Sequence, residues 1–134
     1  MRTAAALFVS LALTACTSVA PPPSCLAGRP AVETQLYFGL SMKDRVVNAR
    51  DWQRFVEREV TPRFPQGYSV ADVRGAWLSD EAKRTISENS KLLIRIHGGT
   101  ATDNDAIAAI ITAYKSQFAQ ESVMRVDQNI CVAF

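Results

Sequence analysis

Residues 91–118 read KLLIRIHGGTATDNDAIAAIITAYKSQF, and two different periods meet inside them. From Lys91 to His97 the side chains alternate, with Leu92, Ile94 and Ile96 on one side and Leu93, Arg95 and His97 on the other, as in a half-buried strand. Gly98-Gly99 ends that strand. Beyond it, Ile107, Ile110, Ile111, Tyr114 and Phe118 fall on one stripe at helical spacing. Thr102 and Asp105 stand as a capping-box pair at its start, which predicts a helix running to about Gln120.

Working outward, Glu33 to Leu40 alternates as a first strand, with Leu36, Phe38 and Leu40 on one side and Gln35 and Tyr37 on the other. Asn48 then offers an N-cap, Asp51 sits in the first turn, and Trp52, Phe55, Val56 and Val60 keep helical spacing until Pro62. After the turn Phe64-Pro65-Gln66-Gly67, residues Tyr68 to Leu78 read as a second strand, with Gly75 at a bulge or bend. Ser79 to Ser90 is a polar connection. After the second helix, Ser122 to Val126 begins a last strand, and Ile130 to Phe134 either extends it or adds a short return.

The order strand, helix, strand, strand, helix, strand is the split βαβ arrangement, which predicts an α+β, ferredoxin-like βαββαβ domain with both helices on one face of an antiparallel sheet. In it the first and last strands are antiparallel neighbours.

The N-terminal residues carry an address. Arg2 followed by the apolar run Ala4 to Leu13 has the form of a secretory signal, and is shorter than the ~20 apolar residues of a spanning helix. Leu13-Thr14-Ala15-Cys16 resembles the lipobox of bacterial lipoproteins. The resemblance implies that residues 1–15 are removed and that Cys16 carries diacylglycerol. Thr17 in place of Asp then favours the outer membrane of a Gram-negative cell, facing the periplasm. An ordinary signal peptide cut elsewhere is the alternative.

Cys25 and Cys131 remain, an even pair in an oxidising compartment, and the expectation is a disulfide, with two free thiols as the alternative. A loop of that length is stabilised by about 4 to 5 kcal/mol in the chain-entropy model. The pair joins residues just before the first strand to the end of the last, as the predicted topology requires. Pro21-Pro22-Pro23 makes the stretch after Cys16 an extended tether with a reach of roughly 30 Å. Residues 16–30 are thus the lipidated N-terminus and tether, and 31–134 a single domain.

The 134 residues, 48% hydrophobic, suffice for one core. Fifteen Lys and Arg are interspersed with 13 Asp and Glu, which leaves no electrostatic footprint for nucleic acid. With one histidine and the cysteines committed, no zinc, haem or iron–sulfur signature can be assembled, no cofactor is expected, and no serine elbow motif is present.

Trp52-x-x-Phe55, Phe64-Pro65-x-Gly67-Tyr68-Ser69-Val70, Gly75-x-Trp77, Glu88-x-Ser90-Lys91 and Tyr114-Lys115-x-x-Phe118-x-Gln120-Glu121-Ser122-Val123 together resemble domain-of-unknown-function family 3574, short exported bacterial proteins. The resemblance covers the chain from about Tyr37 to its end and implies a domain without implying an activity.

Two helices cover only one face of such a sheet, so a site or a second subunit is expected on the other. The reading that puts Leu92, Ile94 and Ile96 in the core places Tyr37, Leu93, Arg95 and His97 on that open face, with Met124 or Arg125 beside them. His97 is the candidate acid or base, against a histidine at a strand end with no orienting carboxylate. Arg95 could clamp a carboxylate or phosphate, or simply solvate the face. Gly98-Gly99 before a helix could bind an anion, but Asp103 and Asp105 would repel one, and both carboxylates suit a first helical turn. Glu121 would stand at a pocket rim, or cap and pair with Gln120, Ser122, Glu88 and Lys91. Trp52, Phe55, Tyr114 and Phe118 fit core packing better than an aromatic binding stripe.

Two functions follow. One is a non-enzymatic envelope lipoprotein whose open sheet face pairs with itself as a homodimer, with another protein or with a small ligand. The other is a small-molecule enzyme of the dimeric α/β barrel type using His97 and Arg95.

Overall fold

The computed structural model describes residues 24–80 and 82–134; the signal segment, Cys16 and the proline tether lie outside the described residues. The order is β1 (Arg29–Gly39), α1 (Ala49–Phe55) running on through a π-helical turn at Val56–Val60, β2 (Ser69–Ser79), β3 (Arg84–His97), α2 (Ala101–Phe118) and β4 (Met124–Val132). The sheet order is β2-β3-β1-β4 with every pair antiparallel, the ferredoxin-like α+β arrangement expected from the sequence.

Leu36, Phe38 and Leu93 leave one face of the sheet and are fully buried beneath Trp52 and Phe55 of α1 and Ile107, Ile110, Tyr114 and Phe118 of α2. The aromatic rings interlock, with Phe38 and Tyr114 at 4.7 Å, Tyr114 and Phe118 at 4.8 Å, and Phe55 and Tyr114 at 5.0 Å between centroids. These are tilted and edge-on contacts that add to simple burial. The four aromatics are core, as their spacing predicts. The Tyr114 hydroxyl donates to Gly39 O at 2.8 Å, and burial, with Glu88 nearby, pushes its pKa well above the ordinary phenol value.

Local signals explain the helix starts. Asn48 Oδ1 accepts from Asp51 N–H at 2.9 Å, while the Asp51 carboxylate pairs with Arg45 and Arg54. Those hydrogen-bonded cations, Arg45 first, hold Asp51 below the usual carboxylate range. For α2 the capping box is formed by Thr100 and Asp103, two residues earlier than the pair Thr102 and Asp105. The helix ends at Phe118 on a left-handed Ala119.

The strands differ from expectation in two places. Ser79 to Ser90 is not a simple connection, because residues 84–90 belong to β3. The β2–β3 ladder runs unbroken from Ser69↔Ile94 to Ser79↔Arg84, passing Gly75↔Glu88 without a bulge. β1 leaves β3 at Gly39↔Ser90, so the outer part of this hairpin projects as a two-stranded arm carrying exposed Trp77 and Leu78. Polar side chains suit an arm solvated on both faces, which is why this part does not alternate like a half-buried strand.

β4 is continuous to Val132, and Cys25 and Cys131 are bonded at its end, with 5.6 Å between their Cα atoms. Gly28 turns the chain there at φ +74°, where a Cβ would stand 2.0 Å from Val132 O, so only glycine permits this approach.

Candidate functional site

The register decides which side chains meet. Val32 pairs with His97, Thr34 with Arg95 and Leu36 with Leu93. Paired residues of an antiparallel ladder share a face. Arg95 and His97 therefore stand on the helix-covered face beside Thr34, and Leu92, Ile94 and Ile96 point to the open one. The expected assignment of faces on β3 is reversed. Tyr37 is on the open face, where its hydroxyl donates to Gln35 Oε1 at 2.8 Å, and does not converge with Arg95 and His97. Met124 shares that open face opposite Tyr37, whereas Arg125 pairs with Leu36 on the helix side. Leu93 is core.

Thr34, Arg95 and His97 are buried, at 0%, 6% and 6% exposure, and buried polar groups require partners. His97 has them on both ring nitrogens. Gly99 N–H donates to Nδ1 at 3.1 Å, so the ring proton sits on Nε2 and donates to Thr34 Oγ1 at 2.8 Å. The Thr34 hydroxyl passes its own proton to Asp127 Oδ1. Arg125 Nε then pairs with Asp127 at 2.9 Å, and Arg125 Nη2 donates to Asn104 Oδ1 on α2 at 2.6 Å. A directional chain thus links α2, β4, β1 and β3.

Asp127 is the orienting carboxylate that the sequence did not reveal. It is 30 residues from His97 along the chain, and only the β1–β4 register Thr34↔Asp127 brings it near. Burial opposes ionisation of Asp127, but the hydrogen bonds from Thr34 and Arg125 outweigh it and hold the carboxyl below its ordinary value. Asp103 behaves alike: burial opposes its ionisation, but the bonds from the Thr100 hydroxyl and N–H outweigh it and hold the carboxyl below its ordinary value. Gly99 enables this corner, since its φ of +73° presents the N–H to His97 and a side chain would press on Val32.

Arg95 is satisfied differently. Its Nη1 donates to Gly67 O at 2.7 Å and its Nη2 to Gln66 Oε1 at 2.9 Å, and the guanidinium lies 5.2 Å from the Phe64 ring centroid. Its buried Nε has no partner. Among the described residues no carboxylate pairs with Arg95. Neutral acceptors and a π face hold a buried cation whose charge no anion balances, a costly state.

A cavity of about 820 Å³ opens at this corner, where β2 begins opposite Ile94 and leaves the last residues of β3 uncovered. Arg95 and His97 line it together with Tyr68, Ile94, Ile96 and Asp103, and Arg29 and Phe134 also contribute. The volume suits a small organic molecule. Glu121 is exposed in the connection before β4, at the end where Met124 pairs with Tyr37, so it lies at the opposite end of the sheet from His97 and off this cavity. Glu88 and Gln120 do meet, both on Ser41, through Ser41 N–H to Glu88 Oε1 at 2.9 Å and Gln120 Nε2 to Ser41 O at 2.6 Å. Lys91 pairs with Asp72 instead. Asp105 is exposed and outside the site. Among the described residues no group of three His, Cys, Asp or Glu side chains could hold a metal ion.

The family described as "Protein of unknown function (DUF3574)" matches residues 33–134. Among solved structures, a phage SAM lyase in complex with S-methyl-5'-thioadenosine is 21% identical, with a TM-score of 0.56 over 81% of this chain and 95% of that one. A phage SAM lyase in the apo state is 20% identical, again with a TM-score of 0.56, over 85% and 98%. At this identity the likeness is one of fold. No curated protein matches the chain.

Proposed function

Because this chain belongs to the DUF3574 family, proteins of unknown function, its role must be read from its own site, and we propose that it is an exported, membrane-tethered protein that binds a small anionic molecule at Arg95. The observation that carries this reading is the buried guanidinium on the cavity lining, with no carboxylate partner among the described residues. A carboxylate or phosphate in the cavity would form charge-assisted hydrogen bonds with donors that the protein leaves over. His97, engaged at both nitrogens, and the Asp127–Thr34 pair hold the β3 end and the α2 start at the cavity wall, which is a positioning role. A lipid on Cys16, implied by the lipobox resemblance, would hold the site in the cell envelope, facing the periplasm.

Calorimetric titration of the mature chain with acetate and with inorganic phosphate tests the reading. Saturable binding of either anion, weakened at least tenfold in Arg95→Met, is the expected result. Equal affinity in the two proteins, or no binding to wild type, overturns it.

The shared fold with the phage SAM lyases and the hydrogen-bond chain ending at His97 favour a second reading, an enzyme acting on a small molecule with Arg95 and His97. Incubation with SAM decides it. Release of S-methyl-5'-thioadenosine that is abolished in His97→Gln would establish enzymatic cleavage of SAM, and its absence leaves the binding reading.

A further inference from the structure

The cavity is mixed in character. Its lining combines Arg95, a residue of the helix-covered face, with Ile94 and Ile96, residues of the open face, and Phe134. Ile94 and Ile96 continue an apolar row that begins at Leu92. Ile96 is 42% exposed and Phe134 fully so, an unusual display for a sheet face otherwise free to carry polar side chains.

The place of this corner in the fold is equally specific. Arg29 pairs with Val132 and Pro30 with Cys131, and the bond from Cys131 to Cys25 pins the incoming chain to the same sheet end. Leu26, next to that bond, is fully exposed. The segment from Cys16 to Cys25 is no longer than roughly 30 Å when extended. Acyl chains on Cys16 would tether this end of the sheet, with Arg29 and Phe134 on the cavity lining, within that distance of a lipid surface.

The geometry points to an amphiphile taken from the membrane as the ligand: its anionic head on Arg95 and its hydrocarbon along Ile94, Ile96 and Phe134. This rests on the anion site proposed above and adds the substrate class. A freely diffusing anion needs neither the apolar lining nor its position beside the tether. An amphiphile uses both, and Arg29, also on the lining, meets the headgroup charge.

The mature lipidated chain in phosphatidylcholine nanodiscs is titrated with a dansyl-labelled undecanoic acid, against empty nanodiscs, and separately with acetate and phosphate. Saturable dansyl fluorescence, displaced by palmitate and at least a hundredfold tighter than acetate, is expected. Arg95→Met weakens it at least tenfold. Ile96→Asn and Phe134→Ser, both at exposed positions that tolerate polar side chains, shrink the advantage of the fatty acid over acetate at least fivefold. A fatty acid that binds no tighter than acetate, or an advantage untouched by both variants, overturns the amphiphile while the anion site stands. Binding of none of these anions overturns both.

Discussion

Along β1 and β3 the helix-covered face changes character within one residue pair. At Leu36↔Leu93 and beyond, aliphatic and aromatic side chains fill the space under both helices. At Thr34↔Arg95 and Val32↔His97, the same two strands under the same α2 bury a hydroxyl, a guanidinium and an imidazole. The first region is stabilised by burial of area and by ring contacts, which are non-directional and tolerant of small errors. The second depends on hydrogen bonds that each need a particular partner, and where one is missing, as at Arg95 Nε, the cost goes uncompensated. A fold under no other demand would extend the aromatic core to the end of the sheet. The polar corner is where the proposed binding site would make a different demand on the same two strands.

The contrast can be broken at either end. Phe55→Ala removes a fully buried ring that touches Phe38, Tyr114 and Phe118, and is expected to cost about 3–5 kcal/mol in urea unfolding. Thr34→Val keeps the volume but removes the acceptor of His97 Nε2–H and the donor to Asp127. It is expected to cost about 1–3 kcal/mol, the penalty of a buried group left without its partner. A cost near zero would mean that the polar corner is not a network.

Acid dependence gives the smallest effect. The carboxyls of Asp127 and Asp103 are held below the ordinary value, so the unfolded chain binds their protons more readily and stability rises with pH through that range. Their contribution is complete above the ordinary carboxylate pKa of about 3.9 and is lost as pH falls through the lowered values. Asp127→Asn is expected to make the fall in urea midpoint between about pH 5 and 2 shallower, while Asp103 maintains a remaining slope.

The same contrast explains what the sequence made legible. The element order, the disulfide, the Asn48 cap and the aromatic stripe follow from local spacing and from Cys25 and Cys131, and all are in the structure. The side of β3 that faces the helices is not local. Leu92, Ile94 and Ile96 form the more apolar set, and hydrophobicity alone sends them inward. The registers place Leu93, Arg95 and His97 there instead, where Thr34, itself bonded to Asp127, accepts from His97 and where Gln66 and Gly67 take up Arg95. Those partners come from three separate segments. The signal that could have raised the possibility is Thr34, a hydroxyl in phase with Leu36 and Phe38 on the buried side of β1. Residues Arg84 to Ser90 carry no strand signal in the sequence because an arm with two solvated faces has no reason to alternate.

The central claim is that Arg95 serves a ligand rather than the fold, and one pair of proteins measures it. Wild type and Arg95→Met are unfolded in urea with and without saturating phosphate. In the absence of anion the variant should be at least as stable as wild type, since removing the desolvation penalty of a buried charge without a counter-ion among the described residues offsets the hydrogen bonds lost to Gly67 and Gln66. On adding phosphate only wild type should gain, by the logarithm of ligand over dissociation constant. A variant that loses more than about 2 kcal/mol without anion, the scale of a broken structural contact, and gains as much as wild type with it, would contradict the account.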